Sequence, residues 1–99
     1  MSHYSVKPVA EAAVTDDAIF ISRDGLSRSR NFVNHIYDQF QYLADHPDVG
    51  RDASVYGKGL RVWADRRYKL YVYYTSDRSE VTIERVISMR QQQDKAFDE

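Results

Sequence analysis

With 99 residues, 42% of them hydrophobic, the chain suffices for one compact domain and is too apolar for wholesale disorder. It has no cysteine, which excludes a disulfide framework and a thiolate metal site, and no apolar run approaches the ~20 residues of a membrane helix. The net charge of −1 hides an asymmetry: residues 1–50 hold 4 Lys/Arg against 7 Asp/Glu, residues 51–91 hold 9 against 5, and residues 92–99 hold 1 against 3. A free nucleic-acid binder carries a stronger overall cation excess, so direct sequence-specific nucleic-acid binding is not expected. The basic half suits an acidic protein partner or a local nucleic-acid contact. The first residues lack the basic and apolar regions of a signal peptide, and the expected location is the cytoplasm.

Taken in order, Tyr4–Val6 alternates and stops at Pro8, which predicts a short first strand. From Pro8 the spacing predicts a helix. Proline costs nothing in a first turn, where its missing N–H has no helical partner. Val9, Ala10, Ala13, Val14, Ala18 and Ile21 then recur at steps of mainly three and four. Gly25 suits the left-handed position that closes a helix. Ser27 or Ser29 is expected to cap a second helix, with Phe32, Val33, Ile36, Tyr37, Phe40, Leu43 and Ala44 as its apolar stripe. His46-Pro47 stops it, because the residue before proline disfavours helical geometry. The short link from Asp24 to Ser29 makes the pair a helical hairpin. At about 1.5–3 kcal/mol per fully buried large side chain, Phe32, Ile36, Phe40 and Leu43 are the expected anchor to the rest of the fold.

Residues 47–58 read as a loop. Three strands follow: Leu60–Trp63, Tyr68–Thr75 and Glu80–Ser88, rich in β-branched and aromatic residues and broken at Ala64–Arg66 and Ser76–Arg78. Close-spaced strands pair antiparallel. After Ser88 the chain turns polar, and residues 90–99 read as a tail of the single domain 1–99. The order is β-α-α-β-β-β, an α+β fold with a helical hairpin packed on one face of a mainly antiparallel sheet. The other face is expected to be open and functional.

The strand half also supplies the candidate site residues. Arg61 and Trp63 share a strand face. Together they form either a binding hot spot or a core indole with an arginine packed along it. Arg66 and Arg67 occupy a turn, placed either to grip carboxylates or phosphate, or simply to be solvated. Leu70, Val72 and Tyr74 form the expected core face of their strand. Tyr71 and Tyr73 then point to the opposite face, open to a partner or bracing neighbouring strands. Arg85 interrupts the alternation of its strand, which calls for a β-bulge or a functional cation. His3, His35 and His46 lack ligand spacing, so no metal and no cofactor is expected.

In combination, several stretches resemble the ParE/RelE superfamily of bacterial toxins. They are Asp16-Asp17-Ala18-Ile19, Leu43-Ala44-Asp45-His46-Pro47 with Gly50-Arg51, Gly59-Leu60-Arg61, Tyr68 to Tyr74, and Val81 to Ile87. The resemblance spans roughly Tyr4 to Arg90. It implies the toxin of a type II toxin–antitoxin module, held by an antitoxin whose C-terminal segment wraps it in a hetero-oligomer. RelE-like members cut messenger RNA in the ribosome; ParE-like members poison DNA gyrase. Cutting at a 2′-hydroxyl needs a base, an acid and cations for the developing charge. Arg61 and Lys69 match strand cations of the cutting branch. After the last strand, however, the chain offers Arg90, three glutamines and Asp94, with no tyrosine beyond Tyr74 and no histidine beyond His46. A pI near 6.3 also fits a ribosome-bound nuclease poorly.

The ParE-like branch is therefore expected: a gyrase-binding protein rather than an enzyme, without catalytic residues. Its expected target surface is Arg61, Trp63, Arg66, Arg67, Tyr71, Tyr73 and Arg90. Its expected antitoxin contacts are Ile21, Phe32, Tyr37 and Phe40. The alternatives are a RelE-like ribonuclease and an inactive member that keeps only antitoxin binding.

Overall fold

The computed structural model describes residues 2–78 and 80–91. The expectation of a polar tail falls mostly on residues 92–99, outside that range. Strand β1 (His3–Val6) leads into helix α1 (Pro8–Ile21), a 3-10 turn (Ser22–Asp24) and helix α2 (Leu26–Asp45). Strand β2 (Arg51–Asp52), a second 3-10 turn (Ser54–Tyr56), and strands β3 (Arg61–Asp65), β4 (Leu70–Asp77) and β5 (Glu80–Ser88) follow. The sheet order is β1-β5-β4-β3-β2, with β1 parallel to β5 and every other pair antiparallel. Two helices packed on a five-stranded mixed sheet make this the expected α+β fold.

Most of the main core lies between the hairpin and the sheet. Ala10 and Val14 of α1 and Phe32, Ile36, Phe40, Leu43 and Ala44 of α2 are buried against Leu70, Val72, Tyr74, Val81, Ile83 and Val86. The strongly periodic α2 thus anchors the fold, as its stripe predicts. Its start differs from expectation. Gly25, at φ 128°, stands at the N-cap, and neither Ser27 nor Ser29 caps the helix. The Ser29 hydroxyl donates instead to the Ala18 carbonyl at 2.7 Å, tying α2 to α1.

The two central strands begin one or two residues later than their composition suggests, since Asp65 still pairs with Leu70 across the turn Arg66–Lys69. Strand β5 has its predicted bounds, and it carries a bulge. Tyr73 pairs with Arg85 but Tyr74 pairs with Ile83, which leaves Glu84 as the extra residue. The bulge resets the alternation so that Val81, Ile83 and Val86 all reach the main core. Glu84 accepts the Thr75 hydroxyl proton at 2.9 Å and meets the Lys7 ammonium at 2.8 Å.

The second sheet face is not open, which corrects the sequence reading. Residues 51–58, expected to be part of a loop, fold back over it together with Gly59 and Leu60. Two β2 residues pair with β3, and the Ala53 amide donates to the Leu60 carbonyl at 2.8 Å. Ala53 and Leu60 then bury Val62, Tyr73 and Ile87 in a smaller second core, with Tyr56 and Tyr71 packed at its side. Two strand residues give no periodicity, and their pairing rests on contacts about ten positions along the chain.

Candidate interaction surfaces

The proposed target residues fall into two groups. The first is engaged internally. The Arg61 guanidinium donates to the Gly50 carbonyl at 2.8 Å and lies 3.8 Å from the Asp48 carboxylate. Its cross-strand neighbour Tyr74 is buried. The Tyr74 phenol donates to the Pro47 carbonyl at 2.9 Å and accepts the Gly50 amide proton at 2.8 Å. The quoted motif residues Pro47, Gly50, Arg61 and Tyr74 are thus one lock, fastening the exit of α2 to the sheet.

Trp63 is half-buried on the helix side. Its indole N–H donates to Gln39 at 2.8 Å and its ring lies 5.4 Å from that of Tyr42. The exposed-indole reading is therefore corrected: Trp63 cements α2 to β3. Tyr73 is corrected likewise, being 0% exposed beneath Tyr56. Burial first, then Tyr56 and Tyr71, pushes its phenol up to about 12 against the lowering effect of Arg51. Tyr71 shares that face, half-buried, with its ring 6.4 Å from Tyr73.

The second group is displayed together at one end of the sheet. Arg66 and Arg67 are exposed on the β3–β4 turn, and the Arg67 guanidinium sits 5.4 Å above the Tyr68 ring. Lys69 closes that turn at φ 57°, and its carbonyl accepts the Met89 amide proton at 2.9 Å. That bond brings the exit of β5, with exposed Arg90, beside the turn. Behind the turn, buried Asp65 takes the His35 imidazole at 2.6 Å and the Tyr68 amide proton at 3.0 Å. The charges of the turn therefore stand on a braced base.

The proposed antitoxin contacts also divide. Phe32 and Phe40 are buried in the main core, 1% and 0% exposed, and are corrected as surface contacts. Ile21 and Tyr37 line concavities. One groove, of about 240 Å³, runs between the helices past Val14, Ala18, Ile19, Ser29, Val33 and Tyr37. A pocket of about 180 Å³ lies between α1 and the sheet, lined by Asp17, Phe20, Ile21, Phe32, Tyr68, Leu70 and Ser88.

Between these hollows stand the residues that sequence reasoning missed. Ile19 is 61% exposed and Phe20 65%, and Leu26 at the start of α2 is 73% exposed. Their signal was present: Ala18-Ile19-Phe20-Ile21 is too long an apolar run for one helical stripe. Among the described residues no cluster of His, Asp and Glu could hold a metal ion, and no helix is long and apolar enough to cross a membrane.

The family model described as the ParE toxin of the type II toxin–antitoxin system parDE matches residues 4–93. The chain belongs to the ParE toxin family. In structure it is similar to the chromosomal ParDE toxin–antitoxin system from P. aeruginosa, with a TM-score of 0.73, covering 89% of this chain and 95% of that one. Identity is 20%, so this likeness speaks for the fold. No curated protein matches the chain in sequence. On this ParE-type toxin two surface features stand out: the exposed apolar residues of the helical tip and the cationic end of the sheet. Family membership implies an antitoxin partner.

Proposed function

We propose that this toxin acts in the cytoplasm by poisoning DNA gyrase and is neutralised by an antitoxin segment laid over its helical tip. Membership of the ParE branch carries the reading. The chemistry of the sheet supports binding over RNA cleavage. Arg61 is committed to the Gly50 carbonyl, and Tyr73 lies under Tyr56 with its phenol at about 12, far from the range of a useful general base. The cationic end remains, with Arg66, Arg67, Lys69 and Arg90 as the surface offered to the target. Exposed arginines on a braced turn can hold carboxylates or phosphates in bidentate contacts.

For the antitoxin, Ile19, Phe20 and Leu26 are the apolar anchors, with Ile21 and Tyr37 in the flanking hollows. An amphipathic segment binding there would follow the helix-in-groove mode, its affinity coming from apolar burial. The test is a supercoiling assay with purified gyrase, ATP and relaxed plasmid. Loss of supercoiling with accumulation of linear, protein-linked DNA is the expected result. Untouched supercoiling at large molar excess, together with toxicity in cells and cut messenger RNA, would overturn it.

A further inference from the structure

The pocket between α1 and the sheet contains one charge that has no hydrogen-bond or ion-pair partner among the described residues. Asp17 lies half-buried among the mostly apolar Phe20, Ile21, Phe32, Tyr68 and Leu70, with Ser88 at the same pocket. No described residue gives it a hydrogen bond or an ion pair. Arg67, whose guanidinium lies 5.4 Å from the Tyr68 ring, forms no ion pair with Asp17. Burial first, and Asp16 second, holds its carboxyl above the usual value. A carboxylate set in apolar surroundings without a cation is a cost to the free protein, which an incoming cation relieves. The walls suit the rest of such a group. An arginine or lysine stem can lie along Phe20, Ile21 and Leu70 while its head reaches the carboxylate.

We propose that this pocket receives a basic side chain of the antitoxin segment, its cationic head on Asp17 and its alkyl stem on Phe20 and Ile21. The proposal rests on the antitoxin reading above and deepens it. Charge complementarity names the occupant, and the exposed Ile19 and Phe20 beside the pocket supply the apolar neighbours a helical segment needs.

The test compares the wild-type toxin, Asp17→Asn and Asp17→Lys in affinity for the co-expressed cognate antitoxin, with thermal melts of each free toxin. Asp17→Asn is expected to weaken binding about tenfold or more and Asp17→Lys further, since one partner of a desolvated charge pair is lost. The melts should show no loss of fold. As a second probe, n-butylguanidinium should shift the amide resonances of Asp17, Phe20 and Ile21 in the wild type, and pentan-1-ol should do so much less. Asp17→Asn binding as tightly as wild type would overturn the pocket proposal and leave the antitoxin reading standing. Wild type failing to bind any antitoxin would overturn that reading and the proposal with it. Concentration-dependent self-association abolished by Asp17→Lys would overturn it too, with a second copy of the chain as occupant.

Discussion

A Cβ placed on Gly50 would stand 2.5 Å from the hydroxyl oxygen of Tyr74. The absence of a side chain at Gly50 is what lets the Tyr74 phenol slide under the loop and join its amide to the Pro47 carbonyl. Gly50→Ala must push the ring or the loop aside. The expected loss is about 1–3 kcal/mol, the usual cost of overpacking a filled site. Tyr74→Phe keeps the ring and loses both hydrogen bonds, for about 1–2 kcal/mol. Urea unfolding of both variants checks this, and a Gly50→Ala midpoint equal to wild type would refute the lock.

Asp65 is 4% exposed and holds both the His35 ring and the Tyr68 amide. Asp65→Ala leaves two polar partners facing a void and should cost about 3 kcal/mol, in the range for breaking a buried pair. His35→Ala should cost less than Asp65→Ala, because Tyr68 still occupies the carboxylate. A double-mutant cycle read by thermal unfolding gives the coupling directly.

The Tyr73 phenol, held near 12 by burial, keeps its proton in the folded state where the unfolded chain begins to lose it, from about 10. The native state then binds more protons than the unfolded state. Stability is accordingly full below about pH 10 and falls as pH rises towards 12. Tyr74 and Tyr4 are raised as well, so the slope has several contributors. Tyr73→Phe should make the alkaline loss shallower, measured as stability against pH. An unchanged slope would show that the 53–60 segment does not shield this phenol.

The two proposed surfaces should be separable by mutation. Ile19→Asp with Phe20→Asp alters exposed positions, so the free fold should change by only about 0.5 kcal/mol per site. Antitoxin binding should fall sharply while gyrase inhibition persists. Arg66→Ala with Arg67→Ala should do the reverse. Supercoiling assays beside antitoxin titrations measure both, and a pair of variants that fail together would argue for one shared surface.

Much of this was legible in the sequence. The stripe of α2 and the β-rich run of β5 were read with nearly correct bounds, because long regular patterns leave few alternatives. The division of β4 into Leu70, Val72 and Tyr74 on one side and Tyr71 and Tyr73 on the other also held. The site was read less well. Arg66, Arg67 and Arg90 are exposed as a solvent-facing site requires, whereas Trp63, Tyr73, Phe32 and Phe40 proved to be packing residues. Aromatic side chains suit cores and interfaces equally, so residue type alone could not sort them.

By itself the sequence determined the two helices, the four longer strands, the faces of β4 and the family, since each depends on local periodicity or on a string of residues read in order. Only the tertiary structure decided that the second face is covered as well. The two-residue β2 and the Ala53–Leu60 flap close over Tyr73 through contacts distant in the chain. Asp17, likewise, is one of two adjacent helix carboxylates in sequence. What sets it apart is the wall of Phe20, Tyr68 and Leu70 that α1 and the sheet build around it, because desolvation depends on neighbours that no local pattern records.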